Sequence, residues 1–462
     1  MKKYLRILAF VALLTSGLVG CGKAKVPNIS EQNKPGTVMI QTVHHAKFSV
    51  PEYTLNDSKL EQLFQSLSPR LKNGQLTEQQ VVAEAFKAVF NDPLTYFEPQ
   101  NNRIEEETEV NMTGSAFLVT ADGYLVTNAH VVSSEQDDLK ETLASNALKK
   151  GAEASCDDQW NGLDGDFQKG IAGTIGTKEF FQLCHEAHVK YYAHYMSLDE
   201  LDTQIYAALA ASTTRDAIVE EGYKATVEAI GEPTPGKDVA ILKIEANNLP
   251  TVELESDQSV TPGDRLITLG YPGAAELVEN QIIEPSMTGG VLSARLPMDG
   301  GWEVFQTDAA ISSGNSGGPV FNENGKVIGV ATFGKVDAET GAQIQGANFV
   351  IPMDVVEEFL KDADVEPKYS DISQLYQAAV EQYDQKRFKR ALKTFRQINE
   401  LNPNYPYVQS YITKTLENIN QVGDFPLAVV IGVGGAAVLL LGAGGVYIWR
   451  RHQVKSPKAN AN

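Results

Sequence analysis

Apolar side chains recur at helical spacing from Leu55 to Phe97: Leu60, Leu63, Phe64 and Leu67, then, after Gly74, Val81, Val82, Ala85, Phe86 and Val89. This predicts a small helical segment over residues 55–105, with the acidic stretch Glu105 to Glu109 as a solvated edge. From Met112 the pattern changes to short β-type runs set off by turns: Ala116 to Val119, the turn Ala121-Asp122-Gly123, then Tyr124 to Val126. The same texture returns at Val239 to Ile244, Arg265 to Leu269, Gly290 to Leu292, Trp302 to Gln306, Pro319 to Phe321, Val327 to Thr332 and Ala347 to Ile351. Many short strands predict a mainly β domain, a barrel or sandwich, over residues 106–362, interrupted by a helical insertion at about 134–221. Beyond it, Leu375, Ala379, Tyr383, Phe388, Ala391, Phe395 and Ile398 place helices over 369–420, at tetratricopeptide-like spacing or as a plain helical spacer.

Both ends carry membrane signals. Lys2, Lys3 and Arg6 precede the apolar run Ile7 to Leu14, and Leu18-Val19-Gly20-Cys21 closes a secretory signal over 1–21 whose end is lipobox-like, with Cys21 as the residue to be lipidated. Residues 22–54 then read as a tether, with His44 and His45 exposed in it. Phe425 to Trp449 has no charged side chain and is long enough to cross a hydrocarbon core of about 30 Å as a helix. Arg450, Arg451, Lys455 and Lys458 then place the tail, 450–462, in the cytoplasm and the bulk of the chain outside the membrane. In that oxidising setting Cys156 and Cys184 either form a disulfide or stay as two buried thiols.

Composition narrows the chemistry. At 462 residues the chain holds about three folded units, and 42% apolar residues are enough for a packed core. A net charge of −20 offers no broad cationic face, which excludes a general nucleic-acid binder and favours protein or peptide partners. Three cysteines cannot build a zinc frame, and His185 and His188 stand three apart instead of the four of a zinc-binding H-E-x-x-H helix. No P-loop or dinucleotide fingerprint occurs, so neither a metal nor an organic cofactor is expected.

Three segments bring catalytic residue types to the edges of β runs: Thr127-Asn128-Ala129-His130-Val131-Val132, Lys237-Asp238-Val239-Ala240-Ile241-Leu242, and Asp308 to Pro319 around Gly314-Asn315-Ser316-Gly317-Gly318. Acyl transfer needs a nucleophile, a base for its proton, and a carboxylate that fixes the imidazole tautomer. The glycines let the backbone turn sharply enough for the Gly314 and Ser316 amides to converge on a developing oxyanion. An α/β-hydrolase order of Ser, acid, His fails, because the only histidine after Ser316 is His452, beyond the apolar span. A subtilisin order needs an acid before His130 and helical surroundings for the serine, whereas both flanks of Ser316 are β-like. His, Asp, Ser remains, the chymotrypsin order.

With these segments, and Thr113 to Leu118, Gly263 to Pro272 and Asn348 to Pro352, the chain resembles the trypsin-like serine protease domain of the HtrA/DegP family of extracytoplasmic quality-control proteases. The resemblance implies a two-barrel fold and peptide-bond hydrolysis of unfolded or misfolded proteins. It also implies His130 as general base, Asp238 as orienting carboxylate, Ser316 as nucleophile, and an oxyanion hole at Gly314 and Ser316. Ala310, six before the serine, would line the base of the specificity pocket and favour small or aliphatic side chains. The chain departs from the family pattern in its long His130 to Asp238 separation, with Asp199 and Asp216 as fallback acids, and in having no PDZ-type domain after the protease. A contrasting reading is a non-catalytic scaffold or sensor that binds partners through its helices. Homo-oligomerisation is left open.

Overall fold

The computed structural model describes residues 28–210, 214, 217–271, 284–312, 314–336 and 343–421. The signal segment with Cys21, the span 425–449 and the tail 450–462 lie outside the described residues. Among the described residues no helix is long and apolar enough to cross a membrane.

After a short helix α1 (Ile29–Asn33), strand β1 (Thr37–Leu55) leads to helices α2 (Asp57–Lys72), α3 (Glu78–Asn91) and α4 (Pro93–Tyr96). Strands β2 (Phe97–Leu118) and β3 (Tyr124–Thr127) and the single turn α5 (Ala129–Val132) follow. Three longer helices come next: α6 (Asp137–Gly162), α7 (Gly165–Thr174) and α8 (Thr177–Tyr195). Strand β4 (Ser197–Leu209), helix α9 (Ile218–Glu221), and strands β5 (Tyr223–Ile230) and β6 (Ala240–Ile244) complete a closed barrel in the order β1-β2-β3-β6-β5-β4. A second closed barrel, β10-β11-β12-β9-β8-β7, is made of β7 (Arg265–Gly270), β8 (Ser286–Pro297), β9 (Glu303–Thr307), β10 (Pro319–Phe321), β11 (Val327–Val336) and β12 (Gln343–Pro352). Helix α10 (Met353–Asp362) and the C-terminal helices α11 (Asp371–Asp384), α12 (Phe388–Leu401) and α13 (Val408–Gln421) close the described chain.

The first barrel begins far earlier than its sequence predicts. Residues 37–54, read as tether, belong to β1, and β4 lies inside the stretch read as a helical insertion. The inner part of β1 is buried on both faces, so it lacks the alternation that reveals a half-exposed strand. His44 is accordingly buried, its Nδ1 2.9 Å from Thr203 Oγ1, while His45 stays exposed beside Glu109. The acidic stretch Glu105 to Glu109 is solvated, but it is part of β2, laddered to β1 from Lys47 to Ser49 and at His45.

Strands β1, β2 and β4 run on past the barrel as a tongue. The β1–β4 ladder runs from Val38↔Leu209 to Ser49↔Ser197 with one register shift between Lys47 and Phe48, and β1–β2 continues to Leu55↔Phe97 with one between Pro51 and Tyr53. At its tip the two helical stretches, distant in sequence, share one core: Val89, Phe90 and Phe97 pack with Ile171, Phe180, Tyr191 and Tyr192. Cys156 of α6 and Cys184 of α8 are joined by a disulfide inside this lobe, with a Cα–Cα distance of 5.9 Å.

Between the barrels, Phe117, Val126, Val239 and Ile241 of the first meet Leu269, Phe321, Val330 and Ile351 of the second, beneath Met353 and Val356 of α10. This shared apolar layer fixes one barrel against the other, and so fixes the loops that meet at its edge.

Candidate active site

The segment after β3 turns into α5, which puts His130 at the barrel's rim; the segment before β6 delivers Asp238 beside it. The pair lies 108 positions apart in sequence, yet His130 Nδ1 and Asp238 Oδ2 are 2.6 Å apart. Asp238 Oδ1 accepts the backbone N–H of His130 at 2.8 Å, and Oδ2 also accepts the Thr332 hydroxyl at 2.7 Å. Asn128 Nδ2 donates to the Asp238 carbonyl at 2.7 Å and holds the two segments together. The carboxylate side chain is 1% exposed and the imidazole 26%, so a buried acid meets its donors while the ring opens toward solvent. With Nδ1–H aimed at the carboxylate, Nε2 is the nitrogen left to act as a base.

Ser316 enters from the second barrel, on the turn before β10. Gly317 has φ +87° and an added Cβ there would sit 2.0 Å from Ser115 O, so only glycine fits. Gly314 is likewise at φ 92°. Ser115, on β2, pins this turn: its N–H donates to Ser316 O at 2.8 Å and its hydroxyl to Gly314 O at 2.6 Å. The Ser316 hydroxyl donates to Thr332 O at 2.7 Å, so in this structure its single proton is committed to a backbone carbonyl. Ala310 is exposed, and its carbonyl accepts the Thr288 hydroxyl at 2.8 Å.

Of the fallback acids, Asp199 sits at the exposed outer end of β4, on the tongue, and Asp216 lies outside the described residues. Sequence reasoning passed over Ser115 and Thr332 as site residues. Both stand inside β runs, Ser115 directly after a glycine, and neither residue type announces a role until the two barrels are brought together. Cys156, Cys184 and His188 also cluster. Their sulfurs are spent on the disulfide, and His188 Nδ1 is 2.8 Å from Cys184 O, so the group offers no thiolate to a metal.

The trypsin-like peptidase domain family matches residues 195–330, a stretch that includes Asp238 and Ser316. A probable periplasmic serine endoprotease DegP-like from Pseudomonas putida (strain W619) is 24% identical over 361 residues, covering 77% of this chain and 52% of its own. The protein of the same name from Pseudomonas fulva (strain 12-X) is 38% identical over 124 residues, 26% of this chain and 24% of its own. Over these segments the chain is similar to DegP-like, trypsin-like serine endoproteases. The chain spans about half the length of the curated relatives it matches. Among solved structures, an HtrA-type protease, AlgW with decapeptide, aligns at 20% identity and a TM-score of 0.35, over 74% of this chain and 68% of its own. The relatives' printed names carry the word periplasmic.

Proposed function

We propose that the chain is a membrane-anchored, extracytoplasmic serine endopeptidase that hydrolyses peptide bonds of unfolded or misfolded proteins. The observation that carries the reading is the buried Asp238 carboxylate holding His130 by both its backbone and its ring, next to the glycine-framed turn that bears Ser316. On substrate entry the Ser316 hydroxyl turns from Thr332 O to His130 Nε2. The imidazole takes its proton as Oγ attacks the carbonyl carbon, and Asp238 steadies the imidazolium that results. His130 then returns the proton to the leaving amine, and water repeats the sequence on the acyl-enzyme.

The Asn315 amide is turned to Ser312 O at 3.0 Å, and the Gly314 and Ser316 amides on either side are the pair we assign to the oxyanion. We assign Ala310 to the specificity pocket, where a methyl side chain suits small or aliphatic residues before the scissile bond. The anchor is read from Cys21 and from residues 425–449, and the C-terminal helices as a tetratricopeptide-like unit facing a protein partner.

A fluorophosphonate probe tests the reading. It should label the folded wild-type chain and leave Ser316→Ala unlabelled. A folded wild type that resists the probe, or equal labelling of the two proteins, overturns it and favours a protease-like scaffold.

A further inference from the structure

The lobe at the tip of the tongue encloses a cavity of about 490 Å³, within the range of ligand sites, whose lining includes Tyr53, Leu60, Phe64, Phe86, Phe90 and Phe97. Its floor is buried, but Phe64 at 45% and Phe167 at 49% exposure stand open at its mouth. Val82 and Phe167 also line a second recess, of about 420 Å³, whose other walls carry Glu78, Asp164 and Asp166. An aromatic seat thus adjoins an acidic recess across Val82 and Phe167. Lys169, 3.2 Å from Asp166, answers one of the three carboxylates, and the rim keeps a net negative charge. A fatty-acid carboxylate would meet like charge here, whereas an apolar peptide segment flanked by lysine or arginine matches both the seat and the rim.

We propose that this double recess is an exosite for apolar, basic segments of unfolded polypeptide, a reading that rests on the proteolytic function above. The architecture sets its consequence. From Phe97 at the cavity to Ser115 against the Ser316 turn, β2 runs about 18 residues, or up to about 60 Å at strand rise. A substrate anchored in the lobe needs roughly that many extended residues to reach the cleft. Once long enough, it presents itself at raised effective concentration. A short peptide cannot bridge the two sites and gains nothing.

Binding is measured apart from turnover in the full chain carrying Ser316→Ala, by fluorescence anisotropy with a labelled Lys-Leu-Phe-Leu-Lys peptide and its counterpart with glutamate in place of lysine. The lysine peptide should bind at least about tenfold tighter than the glutamate peptide, and Phe64→Lys or the cavity-filling Val82→Trp should each weaken it by about tenfold. Phe64 is exposed, so Phe64→Lys should keep the wild-type near-UV circular dichroism. Equal binding of the two peptides, or indifference to both substitutions, overturns the exosite. In the chain with Ser316 intact, Phe64→Lys should lower kcat/KM about tenfold for a reduced, unfolded protein of about a hundred residues and leave a fluorogenic tetrapeptide unchanged. Equal losses on both substrates also overturn it. Selective binding without hydrolysis of either substrate counts against the protease reading and leaves the exosite standing as a polypeptide site.

Discussion

The chain carries two helical additions, and they are fastened to the barrels in different ways. The lobe of α2–α4 and α6–α8 has an aromatic core and a disulfide of its own, and it meets the barrel through the tongue, where Ala46 and Phe48 pack on Leu139, Leu143 and Ala147 of α6. The C-terminal helices also have their own core, around Tyr376, Phe395 and Tyr411. They are sewn directly to the first barrel's loops by buried polar bonds. Thr251 N–H donates to Ser373 Oγ at 2.8 Å, Ser370 N–H to Thr251 Oγ1 at 2.8 Å, and Lys368 N–H to Val119 O at 2.9 Å. Separating that seam would orphan several buried donors and acceptors at once, whereas the lobe can loosen internally while leaving the barrel's polar groups satisfied.

The sharpest break in this comparison comes from the disulfide. It closes a loop of 28 positions within the lobe, and removing it by Cys156→Ala with Cys184→Ala should cost about 3.5 kcal/mol of lobe stability on the chain-entropy account. Hydrogen exchange should rise over residues 137–195 while barrel strands such as β10 stay protected, and hydrolysis of a short peptide should hold. If barrel and lobe lose protection together, the two are one cooperative unit and the comparison fails.

The seam gives the next largest effect, in the opposite sense. Ser373→Ala leaves the buried Thr251 N–H without its acceptor and removes a partner 2.9 Å from Ser370 Oγ, a loss of about 1–3 kcal/mol. Because the bonds cross from helix to barrel, the main calorimetric transition should move down by several degrees, about 2–4 °C for each kcal/mol. A variant whose C-terminal helices lose protection while the main transition stays in place would show the seam to be decorative.

Legibility in the sequence followed the range of the forces involved. His130, Asp238 and Ser316 each sit in a short motif at a strand edge, so their residue types and order could be read locally, and the structure brings His130 and Asp238 to 2.6 Å. Ser115 and Thr332 act through contacts across the barrel interface, which no local pattern records. The tongue was missed for the same reason. The outer half of β2 is Glu-rich and exposed, and its strand conformation comes from the ladder with β1, not from burial of an apolar face. Likewise, residues 55–105 and 134–221 each read as helical, but only the shared core of Phe90, Phe97, Phe180 and Tyr192 reveals that their helices form one lobe.

The smallest expected effect sharpens the comparison at the root of the tongue, where His44 stands on β1 between Val110 of β2 and Thr203 of β4. Burial lowers its pKa from the ordinary 6.5 to about 4, with the neighbouring His45 adding to the shift. The charged groups nearby face outward: His45 is 3.2 Å from Glu109 and is paired across the sheet with Asp202. A base whose folded pKa is depressed contributes stability that is complete above its unfolded value and is lost as pH falls toward the folded one. Between pH 6.5 and 4 the unfolded chain takes up a proton that folded His44 refuses, so acid should loosen the tongue, and with it the lobe's attachment. In the seam, Ser370, Ser373 and Thr251 do not titrate, and burial pushes the pKa of the Tyr405 phenol bonded to Ser373 further up, so these groups should not respond to acid. The expected signature is a drop of roughly 3 °C in Tm from pH 7 to pH 5 in wild type beyond that of His44→Gln, with extra exchange confined to 44–50, 104–110 and 197–203. An identical pH response in His44→Gln would assign the acid sensitivity to surface carboxylates and remove His44 from the account.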